Sequence, residues 1–458
     1  MIEIRSGRAR KNCEGLSRRA ALKVGALSFA GLSLSDLLRA RAHGAETSGA
    51  KSVILVWLDG GPSHLESYDP KPEAPAEYRG PFRAINTNVP GIRISETLAG
   101  QAKLADRMAL VRSLHHDNGD HFAAAHWMLT GRYGSNSKDL EQKYPSIGSY
   151  VARVNGPNQP GMPAYVGLPA AQSIYRFPGY QGSAYLGQAY AHFDAQPAQT
   201  YLGWSYSAEI KPPDCLQNFT LESNERFDGR LGLLGQLDRV RRQIDQSGAM
   251  DTVDSYQQQA AELMLGGRAR AAFDITQEDP QTRERYGPGP WGHYACLARR
   301  LVEAGVSFVT VDMPHWDHHS NIEKGHGASM RAMDRAVTAL VTDLDERNML
   351  DEVLVLVMGE FSRTPRLNQG QPGVPVPGRD HWGNAISAML AGGGIRGGQF
   401  VGATNSRGEH PSERPLIPAD LLATVYHQLG IDTTQSYNDH AGRPHPILSE
   451  GRPIAELV

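Results

Sequence analysis

The sequence predicts an α/β fold in which a doubly wound, mostly parallel sheet carries helices on both faces. Two observations predict it. Apolar runs of strand length alternate along the chain with segments of helical periodicity. The segments that follow four of these runs also hold ten of the 17 histidines, together with several carboxylates. Because ligands bind at the carboxyl ends of the strands in open α/β sheets, these residues predict a metal site there.

Each of the four runs has the length and apolar character of a buried parallel strand. They are residues 51–58, 108–114, 306–312 and 353–358. Asp59 follows the first run directly, and His121 follows the second run after a short loop. Asp317 and His319 follow the third run, and Glu360 follows the fourth. The four runs are therefore expected to bring carboxylates and imidazoles to one edge of the sheet.

Helices are predicted between the strands from apolar spacing and from their length. The predicted helices are residues 96–106, 121–129, 291–304, 329–347 and 418–429. Residues 386–390 predict a further strand. Residues 62–95 and 370–378 are rich in Pro and Gly and predict two surface loops.

The N-terminus predicts an export signal. Residues 17–23 (Ser-Arg-Arg-Ala-Ala-Leu-Lys) resemble a twin-arginine motif, and a short apolar stretch containing Gly and Ser follows them. Such a stretch is a poor membrane span, so no stable transmembrane segment is expected. We therefore expect residues 1–42 to be recognised by the twin-arginine export machinery, and the protein to be periplasmic or secreted. An ordinary amphipathic first helix is the alternative.

Residues 43–50 are interpreted as a linker and residues 51–458 as a single domain with two insertions. Residues 155–215 are rich in Gly, Pro, Tyr and Gln and predict an irregular insertion that covers the sheet edge or the site. Residues 226–265 carry helical spacing and predict a helical insertion. The three cysteines lie far apart in no metal-type spacing, so neither a disulfide framework nor a thiolate cluster is indicated.

The charge balance argues against nucleic-acid binding. Nine of the 46 Lys and Arg residues and three of the 49 Asp and Glu residues lie in residues 1–42. The remainder has 37 basic and 46 acidic side chains, which is a formal charge of −9. An acidic surface repels phosphate backbones, whereas bound divalent cations would offset part of this charge.

Five short segments carry a family resemblance. They are residues 57–64 (Trp-Leu-Asp-Gly-Gly-Pro-Ser-His), 127–132 (Trp-Met-Leu-Thr-Gly-Arg), 316–321 (Trp-Asp-His-His-Ser-Asn), 359–365 (Gly-Glu-Phe-Ser-Arg-Thr-Pro) and 378–383 (Gly-Arg-Asp-His-Trp-Gly). In this order they resemble the alkaline phosphatase superfamily, which includes sulfatases and phosphodiesterases. More closely, they resemble an exported, sulfatase-like bacterial family, domain-of-unknown-function family 1501. The resemblance implies an alkaline phosphatase-like fold over the domain.

The resemblance also implies a site for two divalent metal ions, with Zn, Mn, Fe, Mg or Ca as candidates. The positions that match its ligands by motif are Asp59, Asp317, His319, Glu360 and His381. Two cations about 4 Å apart would bind the attacking and leaving oxygens of a phosphoryl- or sulfuryl-type transfer. Carboxylate and imidazole ligands suit Zn, Mn or Fe, and sites made mostly of carboxylates also admit Mg or Ca.

Two positions depart from the superfamily pattern. His121 stands where the nucleophile of the superfamily (Ser, Thr or Cys) is expected, and Phe361 stands where a metal-binding histidine is frequent. We expect His121 to be a metal ligand or a donor to the reacting oxygen. Arg132 and Arg363 complete the catalytic candidates as bidentate binders of an anionic substrate group, with purely structural roles as the alternative.

Structural roles remain open for the predicted ligands as well. Asp59 is also suited to cap the turn beside it, and Glu360 to form an ion pair with Arg363 or Arg366. His381 is also suited to pair with its neighbour Asp380. The predicted function is an exported metal-dependent hydrolase of sulfate or phosphate esters, carbohydrate esters included. The alternative is a catalytically degenerate member that binds an anionic glycan or serves as a scaffold.

Overall fold

The computed structural model describes residues 50–139, 141–171, 181–195 and 267–458. The predicted export signal (1–42) and the predicted helical insertion (226–265) lie outside these residues. So do the predicted linker, apart from residue 50, and much of the predicted irregular insertion. No helix in the described ranges combines the length and apolarity that crossing a bilayer requires.

An eight-stranded sheet lies at the centre of the described residues. In chain order its strands β1–β8 are Ser52–Trp57, Met108–Leu114, Tyr165–Leu168, Phe193–Asp194, Phe308–Asp312, Val353–Met358, Ile386–Ala391 and Gln399–Val401. Their spatial order is β8-β2-β7-β6-β1-β5-β3-β4. Strand β7 runs antiparallel to β2 and β6, and every other neighbouring pair is parallel. The sheet grows from β1 towards both edges, which confirms the predicted doubly wound α/β class.

Eight α-helices lie in the described ranges. In chain order α1–α8 are Ala76–Arg79, His121–Thr130, Ile147–Val154, Gly267–Phe273, Pro280–Tyr286, Pro290–Ala304, Ile322–Glu346 and Pro418–Gln428. Short 3-10 helices span Glu96–Leu98, Gln101–Lys103, Ala105–Arg107, Ala184–Leu186, Gln188–Tyr190 and Ile275–Gln277. Two-stranded ribbons pair Ala84–Asn86 with Arg93–Ser95, Ser362–Arg363 with His381–Trp382, Ala403–Thr404 with Pro411–Glu413, and Ser436–Asn438 with Pro444–Pro446.

Both faces of the sheet are covered by helices. Ile54 and Val56 of β1 belong to a core cluster with residues of α6 and α7. Val53 and Leu55 belong to a second cluster with residues of α2, α3 and α8. All four of these β1 side chains are fully buried. Burial on both faces explains why residues 53–58 form an unbroken apolar run in the sequence.

The predicted helix at residues 96–106 is replaced by three 3-10 turns. Asp334 of α7 accepts hydrogen bonds from the backbone N–H groups of Gly100 (2.8 Å) and Gln101 (2.9 Å). These tertiary bonds use donors that a continuous α-helix would direct to its own carbonyls. The helix predicted at 329–347 begins earlier, at Ile322. Its first turns contain Gly325 and Gly327 and lack the apolar spacing, so the sequence pattern did not predict them as helical.

The segment 155–215 contributes directly to the sheet. Tyr165–Leu168 and Phe193–Asp194 form β3 and β4, the two strands at one edge. The described part of this segment therefore extends the sheet, whereas an irregular cover was predicted. Strand β3 is short and contains Gly167, where an added Cβ would lie 2.3 Å from the backbone of Ala171.

Candidate metal centre

Three buried carboxylates lie at the carboxyl ends of adjacent strands. Asp59 and Glu360 each follow the last residue of their strand by two positions, and β1 pairs with β6 in register at that end. Asp312 is the last residue of β5 and lies opposite the last residue of β1. Asp59 and Asp312 are each 2% exposed and Glu360 is fully buried. Burial, and the charges of Asp59 and Glu360, raise the pKa of Asp312 well above its usual value.

Such a cluster fits a cation, because buried like charges are costly without a compensating positive group. Asp312 was not among the predicted site residues. The signal in the sequence was its position at the end of the third predicted run, residues 306–312. Glu360 also accepts hydrogen bonds from the backbone N–H of Gly60, at 2.9 Å to Oε1 and 3.2 Å to Oε2.

The turn after β1 brings a second loop to the strand ends. Gly60 has φ +114°, and a Cβ there would lie 2.8 Å from the backbone nitrogens of Trp316 and Asp317. Gly61 has φ +78°, and a Cβ there would lie 2.4 Å from the ring of Phe361. Only glycine combines these angles with such close contacts, so this turn sets the position of Asp317.

Asp317 lies at the meeting point of two histidines. Its Oδ1 is 2.9 Å from Nε2 of His319 and 3.1 Å from Nε2 of His381. The two Nε2 atoms are 3.1 Å apart. About a quarter of each of these three side chains is exposed, so this end of the centre is open to solvent.

The opposite nitrogens of both rings are already engaged. Nδ1 of His319 is 2.7 Å from Oδ1 of Asp380, and Nδ1 of His381 is 2.7 Å from the carbonyl oxygen of Gly119. Both partners are acceptors at neutral pH, so each Nδ1 carries the hydrogen. In the neutral rings both Nε2 lone pairs then point towards Oδ1 of Asp317. Three lone pairs that converge in this way fit a metal ion, which would relieve their repulsion.

His121 connects the buried and the exposed parts of the centre. It is the first residue of α2, and Asp120 caps this helix by accepting a hydrogen bond from Ala123. Its Nδ1 is 2.7 Å from Oε1 of Glu360, and its Nε2 is 3.4 Å from Oδ2 of Asp317. Potential ligand atoms of His121, Asp317 and His381 lie within 4.8 Å of one another.

The two carboxylates change the acidity of His121. Burial alone lowers the pKa of the imidazole. The hydrogen bonds to Asp317 and Glu360 outweigh burial and raise the pKa of His121 to about 10. Burial raises the pKa of Asp317, but the hydrogen bond from His121, the contact with His381 and the charge of Arg363 hold this pKa far below its usual value.

Arg363 supports Asp317 from inside the protein. Its side chain is fully buried, and Nη2 lies 2.7 Å from Oδ1 of Asp317. Nε donates to the carbonyl of Gly61 at 2.8 Å, and Nη2 also contacts the carbonyl of Gly60. These contacts agree with the structural role that the sequence left open for Arg363, and its contact with an anionic substrate group stays a prediction. The carboxylate that pairs with Arg363 is that of Asp317, whereas an ion pair with Glu360 was a predicted alternative.

Arg132 is separated from the other candidates. It follows α2, whose ten residues place its C-terminal end about 15 Å from His121 at 1.5 Å per residue. Its guanidinium contacts the carbonyl of Pro446 and lies 4.9 Å from the ring centroid of Tyr144. These contacts agree with the structural role that the sequence left open for Arg132, and its contact with an anionic substrate group stays a prediction.

Phe361 contacts two rings of the centre at the position where the superfamily often has a ligand. Its ring stacks on His381 with centroids 4.5 Å apart, and its centroid lies 4.8 Å from that of His121. Phe361 is fully buried. It therefore contributes an apolar wall, and the imidazole of His121 is the nitrogen donor beside it.

A buried ion pair holds the loop that carries His381. Arg379 and Glu66 are both at most 1% exposed, and Nη2 of Arg379 lies 2.8 Å from Oε1 of Glu66. Arg379 also donates to the carbonyls of Tyr78 and Thr364, at 2.8 Å and 2.9 Å. Neither residue of the pair was predicted, since their positions, 313 residues apart, carry no local signal.

Other histidines near the strand ends are engaged in the scaffold. His64 bonds to Oγ of Ser362 (2.6 Å) and the carbonyl of Gly408 (2.8 Å), and burial lowers its pKa to about 4. His116 bonds to the backbone carbonyl of Glu360 at 2.8 Å. These rings position the loops around the centre.

Similarity to solved structures is distant. The alkaline phosphatase from the Antarctic bacterium TAB5 shows 13% identity and a TM-score of 0.37, over 84% of this chain and 99% of that chain. The lipoteichoic acid synthase LtaP from Listeria monocytogenes shows 10% identity and a TM-score of 0.41, over 90% of this chain and 77% of that chain. The PsFucS1 sulfatase from Pseudoalteromonas sp. shows 12% identity and a TM-score of 0.39, over 85% of this chain and 70% of that chain. Resemblance at this level carries no information about the activity of this chain.

No functionally curated protein matches the sequence. A family model, by contrast, matches residues 50–458, which is most of the chain. The match confirms the family predicted from the five segments. The chain belongs to the family described as Protein of unknown function (DUF1501).

Proposed function

We propose that this protein is an exported metal-dependent hydrolase that acts on sulfate or phosphate esters, carbohydrate esters included. One observation carries the proposal: Oδ1 of Asp317 and the Nε2 atoms of His319 and His381 lie within 3.1 Å of one another. Their arrangement beside three buried carboxylates supports a centre for divalent cations at the strand ends.

The residues divide into two sets of ligands. Asp317, His319 and His381 would hold one cation, and their mixed nitrogen and oxygen donors suit Zn, Mn or Fe. Asp59 and Glu360 would hold a second cation, for which Mg or Ca are further candidates. Divalent cations bound there would stabilise negative charge that develops on a phosphoryl or sulfuryl group.

The protein groups around the ligands have separate tasks. Arg363 fixes Asp317 from the buried side, so this carboxylate keeps its position and its charge. Phe361 excludes water from one face of His381. His121, between Glu360 and Asp317, would hold a proton at Nε2 or Nδ1 whenever no cation takes its place. The exposed quarter of Asp317, His319 and His381 provides the side from which an ester approaches.

Binding without turnover is the second candidate, and the position of His121 favours it. His121 stands where the superfamily has its nucleophile, and its ring contacts Glu360 and Asp317. A centre of this kind would still attract an anionic glycan through its cations. A scaffold role would leave the centre without a cation.

Metal content and turnover on the same samples test the proposal. The natively exported protein and an Asp317→Ala/His381→Ala variant are analysed by inductively coupled plasma mass spectrometry. Both are then assayed on aryl phosphates, aryl sulfates, aryl phosphodiesters and sulfated oligosaccharides. We expect about two metal ions per wild-type chain, and ester hydrolysis that the variant lacks.

The other outcomes separate the candidates. Metal and glycan binding without hydrolysis of any ester would support the binding protein. Absence of metal from the wild-type protein, after incubation with Zn, Mn, Fe, Mg and Ca, would reject both candidates and leave the scaffold. Hydrolysis that survives in the variant would show that the chemistry takes place elsewhere.

A further inference from the structure

We propose that Asp380 is a positioning residue, which holds His319 in the tautomer and orientation that metal binding requires. This inference rests on the proposed function, since it assigns His319 a cation as its partner. It begins from the 2.7 Å contact between Oδ1 of Asp380 and Nδ1 of His319. A carboxylate accepts the Nδ1 hydrogen, and the neutral ring then keeps its lone pair on Nε2.

That lone pair points into the centre. Nε2 of His319 is 2.9 Å from Asp317 and 3.1 Å from Nε2 of His381. A rotation of the ring, or a shift of its hydrogen to Nε2, would remove this donor from the set. A partner at Nδ1 therefore fixes orientation and tautomer together, and it also makes the coordinating nitrogen more basic.

Asp380 itself is about half exposed, so its position needs other support. Its backbone is held by Thr364 on both sides: its N–H donates to Oγ1 of Thr364 at 3.0 Å, and its carbonyl accepts from the N–H of Thr364 at 2.8 Å. The backbone of Asp380 is therefore fixed, and its exposed carboxylate is held by a hydrogen bond from Asn368.

Asn368 ties Asp380 and His319 into one unit. Its Nδ2 donates to the carbonyl of His319 at 2.9 Å and to Oδ1 of Asp380 at 3.3 Å. Its Oδ1 accepts from the backbone N–H groups of Gly370 and Gly378, both at 2.9 Å. The carboxylate, the ring and two loops thus share one hydrogen-bonded network, in which Asp380 is the part that contacts the imidazole.

The test measures metal affinity and the environment of the metal. Zn²⁺ affinity is determined by competition with a chromophoric chelator, and Co²⁺ is used as a probe for its visible absorption spectrum. In Asp380→Ala we expect Zn²⁺ affinity to fall about 10–100-fold, with altered Co²⁺ bands, because His319 loses its fixed tautomer. Asp380→Asn keeps an acceptor oxygen, so its affinity is expected to stay close to that of the wild type.

Asp439→Ala is the matched control. Asp439 lies 3.1 Å from Nε2 of His445, an Asp–His pair outside the candidate centre. Its removal is expected to leave Zn²⁺ affinity and the Co²⁺ bands unchanged. Circular dichroism and thermal unfolding establish that the variants are folded, and Asp380→Asn provides the comparison should Asp380→Ala fail to fold.

The outcomes separate this inference from the proposed function. Wild-type protein that binds neither Zn²⁺ nor Co²⁺ would remove the proposed metal centre itself. A wild type that binds metal, with Asp380→Ala binding equally well and with the same spectrum, would overturn only the role of Asp380. An equal loss of affinity in Asp380→Asn and Asp380→Ala would also overturn it, because the acceptor oxygen would then make no difference.

Discussion

His121 and Glu360, 239 residues apart in the chain, are joined by a 2.7 Å contact between Nδ1 and Oε1. Glu360 is fully buried, and the same imidazole approaches Asp317 on its other side. In the protein without metal, this pair stores a proton at the site where cations are proposed to bind. Metal and proton therefore compete for the same groups.

Metal affinity should consequently rise with pH. The pKa of His121 is raised to about 10, so the ring is protonated at neutral pH in the metal-free protein, and its proton must leave before a cation can take the place of the proton beside Glu360 and Asp317. We expect the apparent affinity for the cation that displaces this proton to increase about tenfold per pH unit between pH 7 and pH 9, with one additional proton released per chain. Isothermal titration calorimetry in buffers of different ionisation enthalpy measures this release, and His121→Gln should reduce it by one proton.

The stability of the metal-free protein should change with pH in the opposite direction. The pKa of His121 is raised from 6.5 to about 10 on folding, so its contribution to stability is complete below pH 6.5. This contribution is lost as the pH rises through 10. We expect the thermal midpoint of chelator-treated wild type to fall between pH 7 and pH 10. A midpoint that falls equally in His121→Gln would contradict this assignment.

Asp317→Ala should remove metal binding and activity. The substitution takes away the carboxylate that His319, His381 and Arg363 share, and it leaves the guanidinium of Arg363 buried without this partner. We expect a loss of at least 100-fold in metal affinity and in kcat/KM on any ester that the wild type hydrolyses. Asp351→Ala, at an exposed position, should behave as wild type in both assays. Full activity in Asp317→Ala would exclude the proposed centre.

Gly60→Ala should destabilise the protein and weaken the centre. The new Cβ would lie 2.8 Å from the backbone of Trp316 and Asp317, at φ +114°. We expect a loss of about 3 kcal/mol or more in the free energy of unfolding, from the clash and the strained backbone together. Gly156→Ala is the control, with φ +63° and no atom within 4 Å, and should cost about 1–2 kcal/mol. Urea unfolding of both variants makes the comparison.

Substitutions of Arg363 and Arg132, the two arginines of the sequence motifs, should have different effects on metal affinity and stability. Arg363→Met removes the charge that holds Asp317, and metal affinity and stability are expected to fall together, the latter by about 3–5 kcal/mol. Arg132→Met removes contacts with Pro446 and Tyr144 at the far end of α2, so it should reduce stability and leave KM unchanged. A large increase of KM in Arg132→Met would support its predicted role as a substrate contact. Steady-state kinetics beside urea unfolding distinguishes these results.

The sequence by itself determined the strands and the candidates that follow them. Strand β1 is apolar at its core positions because both of its faces are buried. This local pattern also predicted that Asp59 lies at the carboxyl end of the strand. The same reasoning identified Glu360 after β6. The sequence also predicted the family, because five short motifs in a given order can be recognised without knowledge of the contacts between them.

Only the tertiary structure decided which groups meet. Arg363 and Arg132 both look like anion binders in the sequence, yet Arg363 is buried against Asp317 and α2 carries Arg132 away from the strand ends. Asp380 contacts His319, 61 residues away, although His381 is its neighbour in the chain. Partners of this kind depend on loop packing and on the direction of each side chain. Neither property follows from residue spacing along the chain, because hydrogen bonds between distant segments leave no periodic pattern in the sequence.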